Sequence, residues 1–133
     1  MMTPEYAQLR VIMTAARSKD NPQLAKLIDD LRSISRQHKA PVWRTVAERL
    51  ERSARNWSEV NISRVARYAK TGESLVVPGK LLGSGLINFE VTVAAYSASA
   101  QARKKIEAAG GKALTIRELA ASNPAGTGIR IMG

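Results

Sequence analysis

Apolar side chains recur at intervals of three or four residues through the first half of the chain, the spacing that gives a helix one apolar face. The clearest stripe follows Asn21 and Pro22, a capping residue and a proline at the first helical position. It predicts a helix to about Gln37, which ends before Pro41 because the residue preceding a proline is disfavoured in helical geometry. The stripe consists of Leu24, Leu27, Ile28, Leu31 and Ile34.

Three further helices are predicted from the same spacing. They begin at Thr3-Pro4, at about Val42, and after Asn61, which is expected to be the N-cap of a short helix. Their inward-facing side chains are expected to be Leu9, Ile12, Met13 and Ala16 in the first, Trp43, Val46, Ala47 and Leu50 in the second, and Ile62, Val65 and Ala66 in the third.

The pattern changes after residue 70, where short apolar runs bounded by turn residues predict strands. A turn at Pro78-Gly79 is expected to interrupt the first run, and Gly83-Ser84-Gly85 is expected to form a second turn. The predicted strands cover residues 74–77, 80–82, 90–96, 112–114 and 129–131.

Two helices are predicted between these strands. One begins at Ser97 or Ser99, either of which can cap it, and the other begins at a capping box formed by Thr115 and Glu118. The predicted fold class is therefore α/β. Helices in residues 1–70 are followed by a compact core of irregular strand-strand-helix turns in residues 71–133, and both belong to one structural unit.

The net charge limits the kinds of partner that this protein is expected to bind. The chain has 133 residues, with 21 Lys and Arg against 11 Asp and Glu, which leaves a net charge of +10. Its apolar fraction of 44% allows a buried core, unlike the composition of a disordered polycation. A field of this sign around so small a protein attracts polyanions, and nucleic acid is the commonest of these.

The positive charge is concentrated between Arg32 and Lys70, where ten Lys and Arg stand against three Glu, a net +7. Eight of the ten are arginines, whose planar guanidinium pairs with phosphate through two hydrogen bonds. Interleaved Trp43, Trp57 and Tyr68 could stack on bases, but their helical spacing favours the core. The predicted RNA contacts in this segment are Arg32, Arg36, Lys39, Arg44, Arg49, Arg52, Arg55, Arg64, Arg67 and Lys70.

The sequence shows no set of residues typical of a catalytic site or a metal site. The chain has no cysteine, and its one histidine, His38, follows a helix end where a cationic side chain favours the helix dipole. Asp29 and Asp30 are adjacent on a helix and point in different directions, while Glu48 and Glu51 are interpreted as partners of neighbouring arginines. We expect no enzyme activity, no metal, no cofactor and no small-molecule substrate.

Membrane binding and export are also not expected. The longest stretch without a charged residue, Val91 to Ala102, has twelve residues and is too short to cross a bilayer. Residues 1–5 do not begin a secretory signal. The predicted location is cytoplasmic.

Two glycine-rich segments resemble nucleotide-binding loops only superficially. In residues 79–85 the lysine precedes the last glycine instead of following it, and residues 126–128 do not connect a strand to a helix. They are interpreted as turns, with the alternative that their exposed N–H groups contact RNA phosphates.

A DNA-binding regulator is the second functional hypothesis. The predicted helices at 42–52 and 61–69 loosely suggest a helix-turn-helix. Against this, the connection at 52–60 has no glycine and is longer than the usual turn of that motif.

Five ordered segments resemble a known family. The chain is similar to the archaeal version of large-subunit ribosomal protein eighteen, of the class shared by archaea and eukaryotes and related to bacterial large-subunit protein fifteen. The segments are Glu59–Tyr68, Val76–Gly83, Val91–Ala95, Ile106–Thr115 and Asn123–Gly128.

The resemblance implies a structural constituent of the ribosome that binds large-subunit rRNA, beside neighbouring ribosomal proteins, and helps hold the folded RNA domains together. It also implies an α/β core preceded by helices. The residues that match the family loop expected to meet RNA are Gly79, Lys80 and Gly83, and those that match its basic connector are Asn61, Ser63, Arg64 and Arg67.

Overall fold

The computed structural model describes residues 21–133, so the helix predicted at Thr3-Pro4, with its apolar stripe, lies outside the described residues. Five α-helices occur in the described part: α1 (Pro22–His38), α2 (Pro41–Leu50), α3 (Ile62–Tyr68), α4 (Ala100–Ala108) and α5 (Ile116–Ser122). Five strands accompany them: β1 (Ser58–Asn61), β2 (Ser74–Leu82), β3 (Thr92–Ala98), β4 (Lys112–Thr115) and β5 (Ile129–Ile131). The predicted α/β class, with helices before the core, is confirmed.

The boundary between α1 and α2 follows the predicted signals. Asn21 caps α1 by accepting a hydrogen bond from the backbone N–H of Leu24 at 3.1 Å. Lys39 adopts the left-handed conformation with φ 52°, which ends α1, and Pro41 begins α2 two residues later.

All strand pairs in the sheet are parallel, and β2 has the most partners. One of its edges pairs with β3, which in turn pairs with β4. Along the other edge, β5 pairs with the first residues of β2 and β1 pairs with the last ones. Because β2 is central, its position decides where every other strand lies.

Both faces of the sheet are covered, since successive strand residues point to opposite faces. Val76 and Ala94 belong to a first-face core with α1, α2 and α5, whereas Leu75 and Val93 belong to a second-face core with α3 and α4. A parallel sheet buried on both faces needs apolar residues at consecutive positions, which β2 and β3 have.

The turn predicted at Pro78-Gly79 is wrong, because both residues are buried inside the continuous strand β2. The register with β3 shifts between Val77 and Lys80, and this irregularity accommodates a proline that has no N–H for the ladder. Gly79 pairs with Ser58 of β1, a strand that the sequence did not predict. A Cβ on Gly79 would lie 2.1 Å from the carbonyl oxygen of Ser58.

The capping box of α5 is present as predicted. The Thr115 N–H donates to Glu118 Oε1 at 2.8 Å, and the Glu118 N–H donates to Thr115 Oγ1 at 3.1 Å. Three interactions hold the pKa of Glu118 below its ordinary value of 4.5. The largest is the hydrogen bond with the Thr115 backbone, followed by the hydrogen bond with the Thr115 side chain and then by the positive charge of Arg103. Ionised Glu118 therefore stabilises the start of α5.

Replacing Gly79 with alanine tests the close approach of β1 to β2. Because the added methyl would overlap backbone atoms of Ser58, we expect Gly79→Ala to lower the free energy of unfolding by about 3 kcal/mol, measured by urea denaturation. Gly128→Ala is the control, since Gly128 has φ +74° but no neighbour within 4 Å, and its expected cost is about 1 kcal/mol. Equal losses in the two variants would contradict the steric assignment.

Acid should remove the contribution of the Glu118 charge. A carboxyl with a lowered folded pKa stabilises the fold above its unfolded pKa, and this contribution is lost as the pH falls through the folded pKa. Glu118→Gln keeps an acceptor oxygen without the charge. We expect the wild type to exceed this variant in urea midpoint at about pH 6 and to match it at about pH 2. The same difference at both pH values would show that the charge plays no part.

Candidate nucleic-acid interface

Three predicted contact residues surround the junction of α1 and α2. Arg36 lies in the last turn of α1, Lys39 lies between the helices, and Arg44 lies in the first turns of α2. All three are exposed, and none of their side chains forms a hydrogen bond or ion pair with residues 21–133. Their charges are available to an external anion.

Two other predicted contact residues are engaged inside the chain. Arg32 forms an ion pair with Glu51 and thereby joins α1 to the end of α2. Arg49 donates from NH1 to the carbonyl of Gly133 at 2.7 Å, which ties α2 to the C-terminal residue. These two arginines contribute first to the fold and only secondarily to an external surface.

Arg52 and Arg55 lie in the connection from α2 to β1, which includes a short 3-10 helix at Ala54–Asn56. Both side chains are exposed. Trp57 holds this connection against α2 because its Nε1–H donates to the Leu50 carbonyl at 3.3 Å and to the Arg52 carbonyl at 3.1 Å. The two arginines are thus presented by a fixed segment.

The interleaved aromatic residues have separate roles. Trp43 is fully buried in the first-face core, so its interpretation as a core residue is confirmed. Trp57 is half-buried and packs edge-on against Tyr96, with ring centroids 4.9 Å apart. Tyr68 is 55% exposed, so its interpretation as a core residue is wrong, and its ring is accessible for base stacking.

The predicted connector residues lie on and around α3. Ser63, Arg64 and Arg67 are exposed on this helix, and the Arg67 guanidinium lies 5.9 Å from the centre of the Tyr68 ring. Asn61 occupies the N-cap position as predicted, although its side chain makes no capping hydrogen bond. Shortly after the helix, Lys70 has an exposed side chain, and its backbone N–H donates to Glu73 Oε1 at 2.9 Å.

The sheet separates these groups into two surfaces. Arg36, Lys39 and Arg44 lie with α1 and α2 on the first face, whereas Arg64 and Arg67 lie with α3 on the second face. The same arrangement excludes the helix-turn-helix hypothesis, because α2 and α3 pack on opposite sides of the sheet and not against each other.

The predicted glycine loop does not expose its glycines. Gly79 is buried where β2 pairs with β1. Gly83 is buried against Gln101 of α4, and a Cβ on Gly83 would lie 2.8 Å from the Gln101 Cβ. Lys80 is exposed and lies on the first face, because the adjacent Leu81 points into the second-face core. Within the predicted loop, the accessible group is the side chain of Lys80.

Sequence reasoning missed two cations on α4. Arg103 and Lys104 are exposed on this helix, which covers the same face as α3. The three consecutive cations Arg103, Lys104 and Lys105 are visible in the sequence, but the larger excess of positive charge in residues 32–70 dominates the charge pattern. Lys104 therefore adds an exposed cation on the second face, whereas Arg103 is close enough to Glu118 of α5 for its charge to lower the pKa of that carboxyl.

The described residues give little evidence for a metal site, an enclosed ligand pocket or a membrane-spanning helix. No group of three or more His, Cys, Asp or Glu in residues 21–133 could hold a metal ion. An open cleft of about 700 Å³ has cationic side chains on both sides, but Arg117 there pairs with Asp30 at 2.6 Å. The lining residues are Gln23, Lys26, Leu27, Tyr96, Ser97, Thr115, Ile116 and Arg117. None of the described helices has the length and apolar character that would span a membrane.

Comparison with known proteins gives a consistent result. A family model described as ribosomal protein 60S L18 and 50S L18e matches residues 4–133. The chain is 52% identical to the large ribosomal subunit protein eL18 of Archaeoglobus fulgidus over 86% of this chain and 97% of the relative.

Two further archaeal relatives have the same name. The protein of Methanospirillum hungatei is 47% identical over 90% of this chain and 99% of the relative. That of Halobacterium salinarum is 45% identical over 86% of this chain and 98% of the relative. The matches thus include most of the described fold.

Proposed function

We propose a mode of RNA binding for this chain from the premise that it belongs to the family of ribosomal proteins 60S L18 and 50S L18e. Like its archaeal relatives, it is a structural constituent of the large ribosomal subunit, and its location is therefore the ribosome in the cytoplasm. The family is a structural one, so the positive charge serves binding and not a reaction.

The observation that carries the proposal is a set of exposed cations without partners among residues 21–133. On α1, α2 and the connection that follows, they are Arg36, Lys39, Arg44, Arg52 and Arg55. Arg64, Lys70 and Lys80 share these properties, and Arg67 contacts only the ring of Tyr68. The described acidic groups do not neutralise this surplus, because the ion pairs formed within residues 21–133 use other arginines.

Phosphate neutralisation explains how such a surface binds RNA. Each cation that replaces condensed counterions along the RNA backbone adds a favourable and strongly salt-dependent contribution to binding. The deep groove of A-form RNA hides base edges, so recognition here depends on RNA shape and backbone position. Exposed Tyr68, beside Arg67, offers a stacking surface for one unpaired base.

The division of the cations gives the protein two binding surfaces. The first surface consists of Arg36, Lys39, Arg44 and Lys80 on the first face of the sheet. The second consists of Arg64 and Arg67 on α3. Since the sheet and its two helix layers separate the surfaces, a short RNA segment that contacts one surface does not reach the other. The protein therefore binds two RNA segments and holds them apart at a fixed distance, with neighbouring ribosomal proteins at its remaining surface.

Sedimentation tests the assignment to the subunit. The tagged protein should sediment with large subunits in a sucrose gradient and dissociate only at high salt, because its contacts are mainly with phosphates. If the protein stays at the top of the gradient at low salt and also fails to bind purified large-subunit rRNA, the proposal is wrong.

Charge reversal on α3 tests the second surface. We expect Arg64→Glu with Arg67→Glu to lower incorporation into large subunits at least about tenfold, because two phosphate contacts become repulsive. The free variant should keep the wild-type circular dichroism spectrum, since both side chains are exposed.

The matched control for this variant is Lys26→Glu with Lys112→Glu. Both lysines are exposed and lie outside the proposed surfaces, and the net charge changes by the same amount. The control should assemble close to normally. Equal impairment of the two double variants would mean that total charge, and not the surface on α3, governs incorporation.

A further inference from the structure

The end of α3 is held by an arginine from the last strand of the sheet. Arg130 lies on β5 between Ile129 and Ile131, which both pack against the first-face core. Because successive strand residues point to opposite faces, the Arg130 side chain points to the second face, which α3 covers. Its NH2 group donates a hydrogen bond to the carbonyl of Tyr68, the last residue of α3.

Glu73 ties the same arginine to the turn that follows α3. Arg130 NH2 lies 3.0 Å from Glu73 Oε1, and this oxygen also accepts the N–H of Lys70 at 2.9 Å. The Glu73 N–H donates back to the carbonyl of Lys70 at 3.0 Å. Arg130 and Glu73 together therefore fix the backbone from Tyr68 to the start of β2.

Helix α3 needs such support because it is short. It has seven residues, and the Asn61 side chain makes no capping hydrogen bond at its start. An isolated helix of two turns is not stable in water, and the last carbonyls of a helix have no partner within it. Ile62 and Val65 bury the inner side of α3. Arg130 supplies a hydrogen bond and a positive charge at its C-terminal end, where the helix dipole is negative.

The last turn of α3 presents an aromatic ring at the protein surface. Tyr68 is 55% exposed, and the Arg67 guanidinium lies 5.9 Å from the centre of its ring. Exposed aromatic rings beside cations are platforms on which unpaired RNA bases stack, while the cations contact the attached phosphates. Bases inside an RNA helix are already stacked on their neighbours, so such a ring favours an unpaired nucleotide.

We propose that the second surface binds an unpaired nucleotide of large-subunit rRNA, whose base stacks on Tyr68, and that Arg130 is the positioning residue for this ring. Arg130 acts through the Tyr68 carbonyl and through Glu73, which together hold the last turn of α3. A ring that is already in place loses less conformational entropy when the base stacks on it. The inference rests on the proposed function and specifies the RNA feature that the second surface recognises.

Replacement of Tyr68 tests the stacking platform, with purified large-subunit rRNA as the ligand. We expect Tyr68→Ala to weaken binding about tenfold because one stacked base is lost, and Tyr68→Phe to bind like the wild type because the ring is kept. Wild-type affinity of the folded Tyr68→Ala variant overturns the nucleotide site and leaves the proposed function standing. Failure of the wild-type chain to bind the rRNA at all overturns both.

Ultraviolet crosslinking of the wild-type complex locates the nucleotide. A base stacked on Tyr68 should form a crosslink to this residue, identified by mass spectrometry of the peptides. Reverse transcription then maps the crosslinked position, which should be unpaired in the rRNA. Crosslinks of Tyr68 only to nucleotides within RNA helices would overturn the site.

Glu73→Ala separates positioning from charge, because it removes a negative charge beside the second surface. If charge alone mattered, this variant would bind the rRNA more tightly than the wild type. If Glu73 and Arg130 position the ring, the yield of the Tyr68 crosslink at saturating rRNA should fall about fivefold.

Glu90→Ala is the matched control for this variant. Glu90 is exposed, and its side chain forms no ion pair with residues 21–133. It lies beside the same turn, since its backbone carbonyl accepts the Gly72 N–H at 2.7 Å, a bond that the variant keeps. The control should give the wild-type crosslink yield.

Arg130→Met should lower the crosslink yield as Glu73→Ala does, and Arg130→Lys, which restores a cationic donor, should recover part of it. Urea unfolding of the free variants measures their stability separately. If folded Arg130→Met and Glu73→Ala keep the full crosslink yield at saturating rRNA despite lower urea midpoints, Arg130 serves stability alone and its positioning role is overturned. An equal loss of yield in Glu90→Ala would overturn it as well.

Discussion

The structure depends on strand β2 being paired along both edges and buried on both faces. Pairing with β1, β3 and β5 places β2 at the centre of a parallel sheet, and its consecutive apolar residues require a helix layer on each side. Gly79 makes the second half of this pairing feasible because any side chain there would overlap Ser58. Once the helices are divided between two faces, the cations that they carry are divided as well. The two proposed RNA-binding surfaces are thus a consequence of how β2 is buried.

Sequence alone predicted the elements whose signals are local. The cap at Asn21, the start of α2 at about Val42, the buried stripe around Trp43 and the Thr115–Glu118 capping box all depend on residues within a few positions of each other. Each of them is found in the structure. The resemblance carried by five segments gave the family and the function, which charge alone could only narrow to polyanion binding.

The features that were missed depend on residues distant in the chain. Strand β1 is only four residues long, and it is recognisable only once β2 lies beside it. Pro78 and Gly79 have the composition of a turn, and only the register with β1 and β3 shows that they continue a strand. The separation of Arg44 from Arg64 was equally hidden, because a count of charges along the sequence has no information about the two faces of a sheet.

The net charge overstates the cationic surface, because several cations form ion pairs or hydrogen bonds with other residues of the chain. Arg32 forms an ion pair with Glu51, and Arg49 donates to the carbonyl of Gly133. Lys105 donates to the carbonyls of Gly83 and Gly85. The proposed binding surface is therefore smaller than the net charge of +10 suggests, because a cation that bonds within the fold is less available to an external anion.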